Sequence, residues 1–259
     1  MSKGEPGLNI KAYLERINYC GSLAPTAETL RALQVAHLLT VPFENLSIHA
    51  SEAIVLDDDS LFTKIVERRR GGFCYELNGL FAALLQALGF EVIMLSARVA
   101  NAEGGFGPDF DHMALMVKLD QRWLADVGFG DSFREPLLLD VDDDQLQGAE
   151  AFRVVHDQGH WTVLRRGEHH KWQVQYRFTL QPYHYADYSE RCLFQQTSPE
   201  SHFTKGRMCS RATADGRITI SEMRFITTTL SGERKEREMT SEAEYASILE
   251  KHFGIVMTR

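Results

Sequence analysis

The sequence predicts an α+β fold, and three features predict it. Helical periodicity fills the first ninety residues, short β-like runs follow from Phe90, and mixed strands closed by one last helix occupy the region beyond residue 185. In the first part, Ile10, Tyr13, Leu14 and Ile17 fall at i, i+3, i+4 and i+7, one apolar stripe on a helix starting near Asn9. Thr26 is placed to cap a second helix carrying Leu30, Leu33 and His37. That helix must stop before Pro42, because the residue preceding a proline is pushed out of helical geometry. A third helix is expected from Ser60 to Arg70. Gly71 and Gly72 break the pattern. From Phe73 an apolar run with Leu77, Leu80, Phe81, Leu84, Leu85 and Leu88 at helical spacing reads as a buried central helix ended by Gly89.

The middle reads as strands at Val92 to Val99, Met113 to Leu119, Trp123 to Val127, Trp161 to Arg165 and Trp172 to Phe178. Turn-forming pairs such as Asp120-Gln121 point to a meander or small barrel. Asp140 to Asp144 is expected to be a solvated acidic loop, His169-His170 an exposed turn, and Met1 to Gly7 disordered. Strands Arg217 to Ile220 and Glu222 to Thr228 and a helix Ser241 to His252 close the chain.

At 259 residues, with 44% hydrophobic and 25% charged side chains, the chain is long enough to bury a sizeable core. A net charge of -8 argues against nucleic acid or an anionic membrane as partner, since both need an excess of Lys and Arg on one face. No run approaches the roughly 20 apolar residues of a membrane span, and the first residues lack the apolar core of a signal peptide, so a cytoplasmic protein is expected. Cys20, Cys74, Cys192 and Cys209 form no Cys-x-x-Cys pair; neither a metal site nor a disulfide framework is expected, and at least one thiol is free for chemistry.

Cys74 is the candidate nucleophile. It opens the buried helix, where the macrodipole and unpaired backbone N–H groups favour a thiolate, and the glycines before it leave room for a substrate. His112, where a glycine-rich loop (Gly104, Gly105, Gly107) enters a strand, is the candidate base. Asp126, among apolar neighbours that make an unpaired carboxylate costly, is the candidate group to orient it. Viewed singly, each has a bland alternative: inert packing for the cysteine, a satisfied core histidine, a turn cap. A two-residue turn at Asp120-Gln121 would set His112 and Asp126 on opposite faces of their hairpin. A three-residue connection restores a common face but leaves them about four residues, roughly 13 Å, out of step.

The segments Arg70-Gly71-Gly72-Phe73-Cys74-Tyr75-Glu76-Leu77-Asn78, Asp111-His112-Met113 and Asp126-Val127-Gly128-Phe129-Gly130 resemble the arylamine N-acetyltransferases. Val41-Pro42-Phe43-Glu44-Asn45-Leu46 and His252-Phe253-Gly254-Ile255 are also similar, so the resemblance spans nearly the whole chain. It implies a helical bundle over residues 1–90 bearing the cysteine, a β-barrel over 91–185 bearing His and Asp, and an α/β lid over 186–259, with a cysteine-protease-like core. It further implies acetyl-coenzyme A as acyl donor, no metal, and an arylamine or hydrazine as acceptor. By the same resemblance Cys74 is the nucleophile, His112 the base and Asp126 the orienting carboxylate. Phe43 and Phe129 line the acceptor pocket, with plain core packing as their alternative, and Gly128 and Gly130 admit the cofactor. Arg70 and Glu76 are expected to form a structural ion pair. The rival readings are an amide-forming acyltransferase of natural-product biosynthesis, a thiol hydrolase or transamidase, and a silent binding protein that keeps the cleft.

Overall fold

A computed structural model describes residues 8–167 and 171–257. The expectations for Met1 to Gly7 and for His169-His170 lie outside the described residues. Side-chain caps begin the helical part as the sequence predicts. Asn9 accepts the Ala12 N–H and starts α1 (Ile10–Arg16); Thr26 accepts the Thr29 N–H and starts α2 (Ala27–Thr40), which ends at Val41 ahead of Pro42. A short strand β1 (Phe43–Glu44) and a single turn α3 (Leu46–His49) follow, neither of them expected.

The third helix differs from expectation. Asp57, not Ser60, supplies the cap, so α4 is Asp58–Phe62; it widens into a π-helical turn over Thr63–Glu67 and stops there, since Arg69 turns to φ +53°. Arg16 deals with the carbonyls this leaves unpaired. Its buried guanidinium donates to the Ile65, Thr40, Arg69 and Arg70 carbonyls, fixing the segment that leads to the cysteine helix. At Gly71 a side chain would place its first carbon 1.9 Å from the Pro42 carbonyl oxygen, so only glycine lets this segment lie against β1. The helix α5 (Cys74–Ala87) is buried almost throughout and ends at Gly89, φ +90°, as expected.

Eight antiparallel strands follow. They are β2 (Glu91–Val99), β3 (His112–Lys118), β4 (Arg122–Ala125), β5 (Leu137–Leu138), β6 (Gln145–Gln147), β7 (Glu150–Asp157), β8 (His160–Arg166) and β9 (Trp172–Phe178). Their order, β5-β4-β3-β2-β9-β8-β7-β6, curls into a nearly closed barrel. The Gln145 carboxamide bridges its two edges, accepting the Leu138 N–H at 2.7 Å and donating to the Leu138 carbonyl at 2.9 Å. Inside lie Leu95, Ala114, Leu124, Phe152, Tyr176 and Phe178, the leucines and phenylalanines each contributing roughly 1.5–3 kcal/mol by burial. Residues 140–144 are not simply solvated: Asp140 pairs with Arg122, and Asp144 with Arg153 and Arg166.

Beyond the barrel come α6 (Tyr185–Thr197), α7 (His202–Lys205), the strands β10 (Met208–Thr213), β11 (Gly216–Ser221), β12 (Arg224–Thr229) and β13 (Arg234–Glu238), and α8 (Glu242–Phe253), capped by Ser241. The second sheet runs β1-β10-β11-β12-β13, so a strand from the helical part opens it. Tyr245, Ile248, Leu249 and Phe253 of α8 pack with Leu46 and Ile220. This α+β architecture is the expected class, with β1, α3, β5, β6, β7, α6, α7, β10 and β13 added to the elements read from sequence.

Among the helices sits one titratable liability. His37 of α2 is buried, bonded through Nδ1 to the Tyr13 hydroxyl, and burial together with the nearby Arg16 charge lowers its pKa to about 3. The unfolded chain therefore takes up a proton below pH 6.5 that the folded chain refuses, and stability falls as pH drops from 6.5 toward 3. Replacing His37→Gln, which cannot charge, is expected to flatten that part of the acid limb in denaturant titrations run at successive pH values; an unchanged slope would show that His37 does not set it.

Candidate active site

Local structure places the three candidate residues through different elements. Cys74 is the first residue of α5, His112 the first of β3, and Asp126 follows β4 directly. Burial is nearly complete for all three, with 4% of Cys74 and 3% each of His112 and Asp126 exposed. The hairpin register resolves the conflict raised by the sequence. Lys118 pairs with Arg122 across a three-residue connection beginning at Leu119, so Asp126 stands two residues out of step with His112 on a common face, not four. That is about 7 Å along the strand, which the chain closes by leaving the ladder after Ala125.

His112 Nε2 meets Asp126 Oδ2 at 2.7 Å. The same oxygen accepts the Tyr176 hydroxyl at 3.0 Å, while Oδ1 accepts the Asn78 amide at 2.8 Å and the Gly128 N–H at 2.9 Å. Four donors around one buried carboxylate are what its charge requires. Burial opposes that charge most, yet His112, Asn78 and Gly128 together hold the Asp126 pKa below its ordinary value. Asn78 does more than donate to Asp126. One turn after Cys74 on α5, it also donates to the Met113 carbonyl at 2.6 Å and accepts the Val127 N–H at 2.8 Å, so the cysteine helix grips both strands of the hairpin.

With Nε2 committed to Asp126, His112 keeps Nδ1 for another partner. The hydrogen bonds among the described residues join His112 to Asp126 and do not join it to Cys74; the thiol faces the backbone N–H of Met113, the next residue along. Burial pushes the Cys74 thiol well above the ordinary cysteine value, the Met113 N–H opposes this, and the Asp126, Cys192 and Asp111 groups add to it. An anionic sulfur at this depth therefore calls for a compensating positive charge.

The other expected site residues fall as follows. Gly128 lies against the cysteine backbone: a side chain there would put its first carbon 2.7 Å from the Cys74 Cα. Gly130 has φ +91° with open space beside it. Phe129 sets its ring edge-on to His112 at 5.1 Å and against Tyr176 at 5.0 Å. Phe43 packs against Phe203 at 6.0 Å and against the cluster that holds Cys74. Arg70 and Glu76 do not pair. Arg70 binds Glu44 at 2.9 Å with Glu52 and Ser47, whereas Glu76 binds Lys64 at 2.6 Å and accepts the Phe73 N–H, capping α5 one residue before the thiol. Among the described residues no group of three or more His, Cys, Asp and Glu side chains is placed to hold a metal ion, and all four cysteines are free.

Two contributors escaped the sequence reading. Asn78 carried a signal, since a polar residue four positions after the cysteine shares its helix face. Tyr176 carried none, because its role depends on β9 pairing with β2, a contact across more than seventy positions. Burial and its bond to Asp126 keep the Tyr176 hydroxyl protonated, so it serves as a neutral donor.

Comparison with known proteins agrees with the resemblance in the motifs. An N-acetyltransferase family model matches residues 26–259. The arylamine N-acetyltransferase of Escherichia coli K12 is 34% identical over 246 residues, covering 94% of this chain and 87% of the relative. The proansamycin X synthase of Amycolatopsis mediterranei S699 is 33% identical over 253 residues, covering 94% and 96%. Among solved structures, the Salmonella typhimurium arylamine N-acetyltransferase superimposes with a TM-score of 0.92 at 30% identity, over 98% of this chain and 94% of that one. The Mycobacterium marinum arylamine N-acetyltransferase in complex with CoA gives 0.87 at 30% identity, over 95% and 93%. The chain belongs to the arylamine N-acetyltransferase family, a family of acyltransferases, and shares its fold.

Proposed function

We propose that this chain transfers an acetyl group from acetyl-coenzyme A to an arylamine or hydrazine nitrogen in two half-reactions through a thioester on Cys74. The observation that carries the reading is the fully coordinated Asp126. It binds His112 through Nε2, which leaves Nδ1 as the nitrogen that can take the thiol proton. The bound coenzyme A of the M. marinum relative supports the donor. We take residues 1–90 as the part that bears the nucleophile, 91–185 as the part that bears its base, and 186–259 as the lid.

In the first half-reaction His112 takes the Cys74 proton and the sulfur attacks the acetyl carbonyl. The carbon–sulfur bond to coenzyme A breaks, and the imidazolium returns the proton to the departing thiolate. In the second, the amine nitrogen attacks the Cys74 thioester, His112 accepts the nitrogen's proton, and the regenerated cysteine leaves. Asp126 fixes the imidazole and stabilises its charged form without being protonated. Gly128 lets the turn after Asp126 lie against Cys74, Gly130 leaves open space for the pantetheine end of the donor, and Phe43 and Phe129 give the acceptor ring apolar faces. Arylamines suit such a dry site because they are neutral near pH 7, whereas an alkylamine must first lose a proton.

The Amycolatopsis relative favours one second reading, an amide-forming acyltransferase of natural-product biosynthesis with a larger acyl donor. Competition between acetyl-, propionyl- and malonyl-coenzyme A separates the two.

Three outcomes are expected. Intact-mass analysis after mixing with acetyl-coenzyme A shows one acetyl gain that Cys74→Ala abolishes; no gain, or gain that survives the substitution, refutes the scheme. Asp126→Asn keeps the packing but offers His112 a donor in place of an acceptor, and should lower the acylation rate by roughly a hundredfold or more, as in other triads. Asn78→Ala strips partners from Asp126, Met113 and Val127 at once, and should cost about 2 kcal/mol or more in chemical denaturation; a loss within a few tenths would show that the helix does not depend on this grip.

A further inference from the structure

A second carboxylate stands beside the site and the scheme above does not use it. Asp111 immediately precedes His112, and its Oδ1 receives Arg191 Nη2 at 2.5 Å and Gln195 Nε2 at 3.3 Å, both from α6. The ion pair is four-fifths buried, with 21% of the arginine side chain and 17% of the aspartate exposed. The loop it closes is held on every side. Phe110, at φ +59°, donates its N–H to Ser96 Oγ at 2.7 Å and accepts the Tyr75 hydroxyl at 2.6 Å. Helix α6 is itself anchored: Gln195 Oε1 accepts the Ser201 hydroxyl at 2.6 Å, and Gln196 bonds both the N–H and the carbonyl of Ile54. The guanidinium also lies over the Phe194 ring at 4.3 Å.

We propose that Arg191 is a positioning residue that neutralises Asp111 and ties α6 to the start of β3, so that the Cys74–His112 pair forms beside one compensated carboxylate and not beside a bare one. This rests on the acyl-transfer reading of Cys74. The groups that act on the thiol are Asp126 after β4, then Cys192 of α6, then Asp111 just before β3, with Tyr188 of α6 and Tyr75 of its own helix in the same cluster. Burial keeps the tyrosine hydroxyls and the Cys192 thiol uncharged, so the two aspartates are the only anions among these groups. Asp126 is answered by four donors and Asp111 by the α6 side chains. Without the guanidinium, the Asp111 charge acts through poorly screened surroundings on a sulfur that must become an anion, and works against it. The helix that covers the site thus also balances its charge.

The test is the pH dependence of iodoacetamide alkylation at Cys74, followed site by site by peptide mass spectrometry in the full chain. Arg191→Ala should move the midpoint up by about one pH unit and slow neutral-pH alkylation roughly tenfold. Arg191→Lys, which keeps the charge, should hold the wild-type midpoint. The double variant with Asp111→Asn should return to within a few tenths of a unit of it. Asp111→Asn alone leaves the guanidinium unopposed and should move the midpoint down, which keeps the idea testable if Arg191→Ala folds poorly. A packing role alone predicts slower reaction with no shift, and a double variant no better than Arg191→Ala; either result overturns the proposal. Acetyl gain on Cys74 is read separately by intact mass, so a shifted midpoint without acetylation faults the function, and acetylation without a shift faults Arg191.

Discussion

A carboxylate that is 97% buried and still charged must be answered by donors on both oxygens, and most of this molecule's design follows from Asp126 meeting that demand. Its four donors arrive from β3, β9, α5 and its own turn. Satisfying one charge therefore brings together helix, barrel and the loop that holds Phe129. Were any donor removed, the loss would include the desolvation penalty of the group left behind as well as the bond.

The same burial that secures Asp126 works against Cys74. A lone thiolate in this setting is unfavourable, because burial raises the thiol's pKa and the Met113 N–H only partly opposes it. On the proposed acyl-transfer reading, ionisation becomes possible because the charge is shared: the imidazolium forms beside a carboxylate already in place, and its field acts on a sulfur from which water is largely excluded. Low dielectric penalises separate charges and strengthens the pair. On this account the surroundings must supply few other anions, which is why the closure of Asp111 by α6 matters.

The sequence made the fold class, and the His112–Asp126 pairing near the start of the cysteine helix, legible for definite reasons. Caps at Asn9, Thr26 and Ser241 are local signals, and the helix after Cys74 announces itself by continuous apolar spacing between Gly72 and Gly89. What stayed hidden depended on distant contacts. The two-residue strands β1 and β5 exist because a partner strand pairs with them, and α6 is polar enough that only Tyr188, Cys192 and Gln195 are buried. The hairpin offset turned on whether the chain leaves β3 at Leu119 or one residue later, a choice that no pattern in Asp120-Gln121 encodes. Nearness in sequence suggests a pair of Arg70 with Glu76, but Glu44 and Lys64, brought in by β1 and the π-helical turn, are their partners.

The central claim is that Cys74 ionises through His112 and not on its own. Ultraviolet titration of thiolate absorbance, taken as the difference between the wild-type chain and Cys74→Ala, tests it most directly. The account predicts a thiolate already present near neutral pH that disappears when Asp126→Asn is introduced. A signal that rises only in the alkaline range, the same with and without the Asp126 carboxylate, would contradict it.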